Sequence, residues 1–582
     1  MILTSCIWRG HSGLWRGISA GVAASFLSVA AIAGDVGTGS KPASGPSQQN
    51  APLVVPASAT STQRVRLLSQ EQYLNTVKYI FGPGIAVSPN FAPLARTDGL
   101  LEVGASTAGV TFGQLGEYQR TASDLAKQVV SPQNRGFLIQ CKPRNATRAD
   151  PRCAKRFLSR VGELLYRRPL TRAQLNQSVD EAGMAAGRLK DFYQGLSYAL
   201  SDMLISPDVL FVVDHTQPDP QNPGQSRLDG YSIASRLSLF LWDSAPDHAL
   251  LQAAARGQLY TPEGRARAVD RMLASPRLVT GVRAFFYDML DFDNTTNLAK
   301  DPEIYPAFTG STAQAAREQV LRTIVNQLVT KNGDYRDLFT MHATFMSPQL
   351  SPIYDVPAAM GWTPYQFPAG GPRAGLLTMV GFLAAHSHAG QSSPTLRGRA
   401  VRQLLLCENI PNPPANVDFS AITNPNPALK TMRQRLELHR RNPVCAGCHR
   451  LMDPIGLGLE DFDGAGKFRT TQNGVTIDAS GTLDGMKFAN ATDLGKDVHD
   501  DPALAPCLTR RLYAYAVGGL SKSDGKAMLP YLDKSFAQEG YRVPSLMRTI
   551  ALSPAFIDVR TPLVSKPTPV VAMEHSPASA GE

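Results

Sequence analysis

Apolar residues recur at helical spacing along most of this chain, and the middle block sustains no strand alternation. Ordered structure is expected to begin near Arg64-Val65-Arg66-Leu67. Ser69-Gln70-Glu71-Gln72 reads as a capping box, opening a helix with Tyr73, Val77 and Ile80 on one face that ends at Phe81-Gly82-Pro83-Gly84. Helices over about 116–130 and 153–168 follow, and Thr171 with Gln174 caps another. Ser206-Pro207 and the Pro/Asn/Gln stretch 215–227 mark a boundary. From Leu228 the pattern is dense: Ile233, Leu237, Phe240 and Leu241 make a buried stripe, and Thr261-Pro262-Glu263 supplies a cap, a first-turn proline and a favourable acid. Phe285, Phe286, Tyr287 and Leu290 read as core. Helices should continue to about 288 and over 312–330, making the middle all-α.

Residues 342–372 are irregular and rich in Pro and Gly. A helix is expected from near Ala374, carrying Leu376, Leu377, Val380 and Phe382 into Ala385-His386-Ser387-His388. Gln391-Ser392-Ser393-Pro394 breaks it, and Arg397 to Cys407 forms the next. Pro411, Pro413 and Pro414 imply an extended crossing. Leu429, Met432 and Leu436 share a face of the helix leading to Cys445-Ala446-Gly447-Cys448-His449. Met452-Asp453-Pro454 and the glycines at 456, 458, 464 and 466 then read as a loop that permits close backbone approach. A small hairpin is expected around Val475-Thr476-Ile477-Asp478 and Gly481, then a helical pair over about 505–518 and 523–536. The fold class is mostly α and multi-helical: several packed helical modules, with a small loop-rich or short-hairpin region after the Cys-x-x-Cys-His motif. The expected organisation is a signal peptide over 1–33, a disordered linker over 34–62, helical modules over 63–215 and 228–355, the motif-bearing module over 374–480, a C-terminal helical module over 490–562 and a tail over 563–582.

Composition narrows this picture. Arg9 and Arg16 precede or flank an apolar, small-residue run from Ile18 to Ile32, and Ala31-Ile32-Ala33 offers a cleavage site, the layout of a secretory signal. A periplasmic or secreted protein is expected, with no stable membrane span after cleavage near Ala33. Hydrophobic residues at 43% and charged residues at 18% describe an ordinary soluble protein, long enough for about two to four domains. The formal charge of +10, or +8 without Arg9 and Arg16, is scattered in Arg-rich helices. Nucleic acid is therefore not the expected partner, while an acidic protein partner or surface fits.

The chemistry centres on residues 445–449. Cys-x-x-Cys-His is the attachment sequence of a c-type haem: Cys445 and Cys448 would add to the porphyrin vinyl groups, and His449 would give an imidazole nitrogen to the iron. A thioredoxin-like pair wants a strand-helix context, a four-thiolate zinc ribbon wants a second Cys pair nearby, and a plain disulfide leaves His449 unexplained. Six cysteines remain beyond Cys6. Cys141 and Cys153 bracket a short polar loop that a disulfide can close, and Cys407 and Cys507 are left to pair across the motif; buried free thiols are the alternative.

These stretches resemble an exported bacterial family of planctomycetes and proteobacteria built from domains of unknown function 1587, 1595, 1592, 1588 and 1585. The resemblance is carried by Arg66 to Gly82, Cys153 to Leu170, Leu228 to Trp242, Ser392-Ser393-Pro394-Thr395-Leu396-Arg397-Gly398, Cys445 to Phe462, and Cys507 through Gly518-Gly519-Leu520. It implies an exported, helical, haem c-type protein and implies no reaction.

Function turns on the second axial position. His388, with His449, is the expected metal-ligand pair, and His386 is the next candidate; either is also a possible distal residue. Met486 follows as a downstream methionine, Met452 lies too close to His449 in the chain, and His439, His499, His342, His248 and His215 are expected at the surface. A doubly ligated iron passes electrons to a redox partner protein. An open site implies an oxidase, oxygenase or peroxidase, with His388 or His386 handling protons. A third reading is an interaction or polysaccharide-binding protein with a structural haem or disulfide. Asp453, Asp461 and Asp463 fail calcium-loop spacing and read as turn caps. Nucleophile-elbow, zinc-protease and phosphate-loop motifs are missing.

Overall fold

Reciprocal caps start the first helices. In the computed structural model, which describes residues 53–56, 60–358, 360–411, 427–520 and 522–560, Ser69 and Gln72 cap α1 (Gln70–Phe81) in both directions. A second box, Thr111 with Gln114, begins α2 (Phe112–Val130) four residues before the apolar spacing places it. Asp150 caps α3 (Pro151–Leu165), Thr171 and Gln174 cap α4 (Arg172–Leu189), and Asp191 caps α5 (Phe192–Leu204). These helices enclose a core that includes Val77, Phe81, Leu125, Phe157, Leu196 and Leu200. Cys141 is bonded to Cys153, with Cα atoms 5.8 Å apart.

The next helices are α6 (Gly230–Trp242), α7 (His248–Ala255), α8 (Pro262–Leu273), α9 (Leu278–Met289) and α10 (Gly310–Val325). After them come α11 (Val380–Ala385), α12 (Pro394–Ala400), α13 (Met432–His439), α14 (Pro443–Leu457), α15 (Ala491–Asp500), α16 (Leu504–Val517), α17 (Lys522–Gln538) and α18 (Val543–Leu552). One continuous core draws on nearly all of this region, through Phe240, Phe285, Leu321, Phe339, Leu383, Leu459, Leu512 and Met547. The fold is mostly α and multi-helical, and no helix of the described residues is long and apolar enough to cross a membrane. Cys407 is bonded to Cys507, with Cα atoms 5.3 Å apart.

Strands are short. They are β1 (Ser61–Thr62), β2 (Val65–Leu67), β3 (Phe211–Val213), β4 (Thr216–Pro218), β5 (Ser226–Leu228), β6 (Ala343–Met346), β7 (Thr363–Gln366), β8 (Thr471–Gln472), β9 (Val475–Thr476), β10 (Gly481–Leu483), β11 (Met486–Phe488) and β12 (Asp558–Arg560). One sheet has the order β1-β12-β5-β4, with β1 parallel to β12. The stretch read as a linker thus contributes a strand, because Ser61 and Thr62 pair with Val559 and Arg560 and Ser61 is fully buried. Behind this sheet, Arg236 forms a buried ion pair with Asp214 at 2.6 Å and donates to Ser61 Oγ and to the Phe556 carbonyl.

Several expectations are corrected. The stretch expected to be irregular, 342–372, contains the antiparallel β6–β7 pair, whose strands are too short for alternation to register. The helix expected from Ala374 begins at Val380: Gly375 is left-handed at φ +65°, and a Cβ there would meet the Phe339 carbonyl at 2.1 Å. The single hairpin expected around Val475 is two. Their turns are Asn473-Gly474 and Asp484-Gly485, with positive φ at both central residues, the signature of tight two-residue hairpins. The signal peptide, most of the linker, Pro413, Pro414 and the tail lie outside the described residues.

Candidate functional site

The Cys-x-x-Cys-His motif lies on a helix. α14 starts at Pro443, where the missing N–H costs nothing, and the amides of Cys445 and Ala446 bond the Asn442 carbonyl at 3.1 and 3.0 Å. Helical spacing sets Cys445, Cys448 and His449 at i, i+3 and i+4, on one face of the first two turns. Both thiols are free and partly exposed, in contrast to the two disulfides.

His449 is oriented from behind. Its Nδ1 lies 3.0 Å from each carboxylate oxygen of Asp453, one turn further along, and Asp453 is fully buried. A carboxylate only accepts, so Nδ1 carries the proton and Nε2 is left with the free lone pair. Thr395 Oγ1 donates to Asp453 Oδ1 at 2.8 Å. The helix that presents Thr395, α12, lies against α14 with backbones in contact: a Cβ at Gly398 would sit 1.9 Å from the Met452 carbonyl, and one at Gly456 1.7 Å from the Pro394 carbonyl. Only glycines allow that approach.

Buried guanidinium groups fix the turn that follows. Arg397 is completely buried and donates to the carbonyls of Leu459 and Phe462 at 2.7 Å each, and to Asp463. Its charge faces Glu460 at 3.8 Å, whose carboxylate also accepts from Ser392 Oγ at 3.0 Å and Arg469 at 3.1 Å. Arg373 bridges the Thr378 and Gly466 carbonyls at 2.6 Å each. Burial lowers both arginines to about 10, so both stay charged. The Ser-Ser-Pro-Thr-Leu-Arg-Gly stretch is thus a clamp: Ser392, Thr395, Arg397 and Gly398 each hold part of α14 or of the segment after it.

The structure does not gather the other candidate ligands at His449. His386 packs against Phe382 at 4.8 Å between ring centroids, and burial, then Arg397 and Lys300, pushes its pKa down to about 4. His388 is exposed, and its carbonyl, with that of Ser387, accepts from Lys300 Nζ at 3.0 and 3.1 Å. Met486 sits just after the Asp484-Gly485 turn and is 39% exposed, while Met452 is buried. His439 was expected at the surface, yet it is 7% exposed and meets the His449 ring edge-on, with centroids 4.6 Å apart. It is the last residue of α13, which packs back onto α14. Asp463 does cap a turn, accepting from the Ala465 and Lys467 amides. Asp453 does not. Reading Met452-Asp453-Pro454 as the start of a loop hid the i, i+4 relation of Asp453 to His449, which was the available signal; α14 runs through Pro454 to Leu457. Among the described residues, no three His, Cys, Asp or Glu side chains converge as a metal-binding cluster.

Four protein-family profiles match in chain order, each described as a protein of unknown function: DUF1595 over residues 153–214, DUF1592 over 228–356, DUF1588 over 373–472 and DUF1585 over 484–556. They are four of the five modules named by the resemblance, and together they span more than half of the chain. No curated protein and no solved structure matches.

Proposed function

We propose that this chain, a member of the family assembled from those modules, is an exported c-type protein carrying one covalent haem at Cys445, Cys448 and His449, with an electron-transfer role. The observation that carries the reading is a free thiol pair on the same helical face as an imidazole whose Nδ1 is already engaged. Two thioethers to well-separated vinyl groups and one axial nitrogen suit this arrangement better than a tetrahedral metal. The two disulfides elsewhere fit an oxidising compartment outside the cytoplasm.

Bound there, haem supplies a one-electron couple. This chain's own residues would anchor it through both thiols, present Nε2 of His449, hold the Nδ1–H of that ring against the accepting Asp453 carboxylate, and keep the following turn rigid through Arg397 and Arg373. A pyridine haemochrome spectrum and an intact mass, taken on protein matured with a haem-attachment system, test the reading. The expected result is a c-type spectrum and one haem of added mass, both lost in the Cys445→Ala/Cys448→Ala protein. A colourless, unmodified wild-type protein refutes it. Unchanged spectra with carbon monoxide or cyanide support electron transfer; a shifted spectrum supports an oxidase, oxygenase or peroxidase with an open iron site.

A further inference from the structure

We infer that Asp453 is a positioning residue that sets the reduction potential of the haem proposed on His449, holding it low; the inference rests on the haem reading above. The Asp453 carboxylate is fully buried, and its polar contacts are His449 Nδ1, 3.0 Å from both oxygens, and Thr395 Oγ1 at 2.8 Å. Among the described residues, no Lys or Arg forms an ion pair with it. Its negative charge is therefore spent on the Nδ1–H of the ligand. A neutral carbonyl acceptor would orient the ring equally well. A carboxylate also draws the proton toward itself and makes Nε2 a stronger donor, which favours the oxidised iron over the reduced one.

The clamp makes this arrangement durable. Thr395 belongs to α12, and α12 cannot retreat from α14 without breaking the Gly398–Met452 and Gly456–Pro394 backbone approach. His449 thus has a fixed anionic neighbour supplied by packing outside the five-residue motif. The electron donor this protein needs is accordingly a strong one-electron reductant.

The test is a spectroelectrochemical titration of haem-loaded wild-type, Asp453→Asn, Asp453→Glu and Thr395→Val proteins. Asp453→Asn is expected to keep its covalent haem and to move the equilibrium about tenfold toward the reduced state, about 59 mV for a one-electron couple. Thr395→Val removes a hydroxyl that donates to the carboxylate and offsets part of its charge, so it is expected to move the equilibrium the other way, toward the oxidised state, by less, and Asp453→Glu to stay near wild type. Should the Asn protein fail to load haem, the Thr395→Val and Asp453→Glu proteins decide by the same readout. A loaded Asp453→Asn protein with the wild-type potential overturns this inference alone. A colourless wild-type protein overturns the haem reading as well.

Discussion

Asp243 shows how a single buried acid is kept. It is 1% exposed, at φ +51°, and accepts from Asn75 Nδ2 at 2.7 Å and from the Tyr515 hydroxyl at 3.2 Å. Burial pushes its carboxyl up to about 8 from an ordinary 3.8. The folded chain therefore holds a proton that the unfolded chain has lost above about pH 4, and stability should fall as pH rises from about 4 to 8. Urea midpoints at pH 5 and pH 8 check this: wild type should lose stability between them, and Asp243→Asn should lose less. Identical slopes would refute the assignment. At the same scale, capping boxes at Ser69 and Thr171 were legible from neighbouring residues, because a cap is a contact between positions three apart. The role of Asp453 was not, since it depends on α14 continuing past a proline.

Among elements, the α12–α14 crossing decides most about the candidate site. Gly398→Ala or Gly456→Ala puts a methyl group into a facing carbonyl, an overpacking cost of about 1–3 kcal/mol. Each should lower the urea midpoint and reduce the haem-loaded fraction. Gly187→Ala in α4 is the contrast: nothing lies within 4 Å of the added carbon, and the position is exposed. It should gain about 0.5–1 kcal/mol through lower unfolded-state entropy. Equal responses at 187 and 398 would show that the crossing is looser than its backbones imply. Helix existence was readable along the chain because apolar periodicity is local. The two hairpins after the motif were readable too, from Asn473-Gly474 and Asp484-Gly485, had turn chemistry been weighed above strand content.

For the whole molecule, long-range closures matter most. The Cys407–Cys507 disulfide closes a separation of 100 residues that includes the motif, and Cys141–Cys153 closes one of 12. Loop entropy assigns about 4.7 kcal/mol to a 100-residue loop and about 3 kcal/mol to one of about 15. Replacing Cys407 and Cys507 with alanine should lower the melting temperature more than replacing Cys141 and Cys153, as calorimetry of both double variants would show. The Arg236–Asp214 pair ties the first strand, the middle of the chain and the Phe556 carbonyl into one buried knot. Arg236→Met leaves Asp214 charged and buried, which should cost about 3–5 kcal/mol. A loss under about 1 kcal/mol would mean that Asp214 finds another partner.

Periodicity, caps and the spacing of one pentapeptide were enough to determine a helical chain and to single out Cys445, Cys448 and His449, because each is a relation between residues a few positions apart. Tertiary structure alone decided that Ser61 joins a strand near the other end of the described chain, that Thr395 reaches Asp453, and that His439 rather than His388 lies beside His449. Those contacts depend on how separate elements close on one another, and backbone approach, buried charge and desolvation exist only once they have.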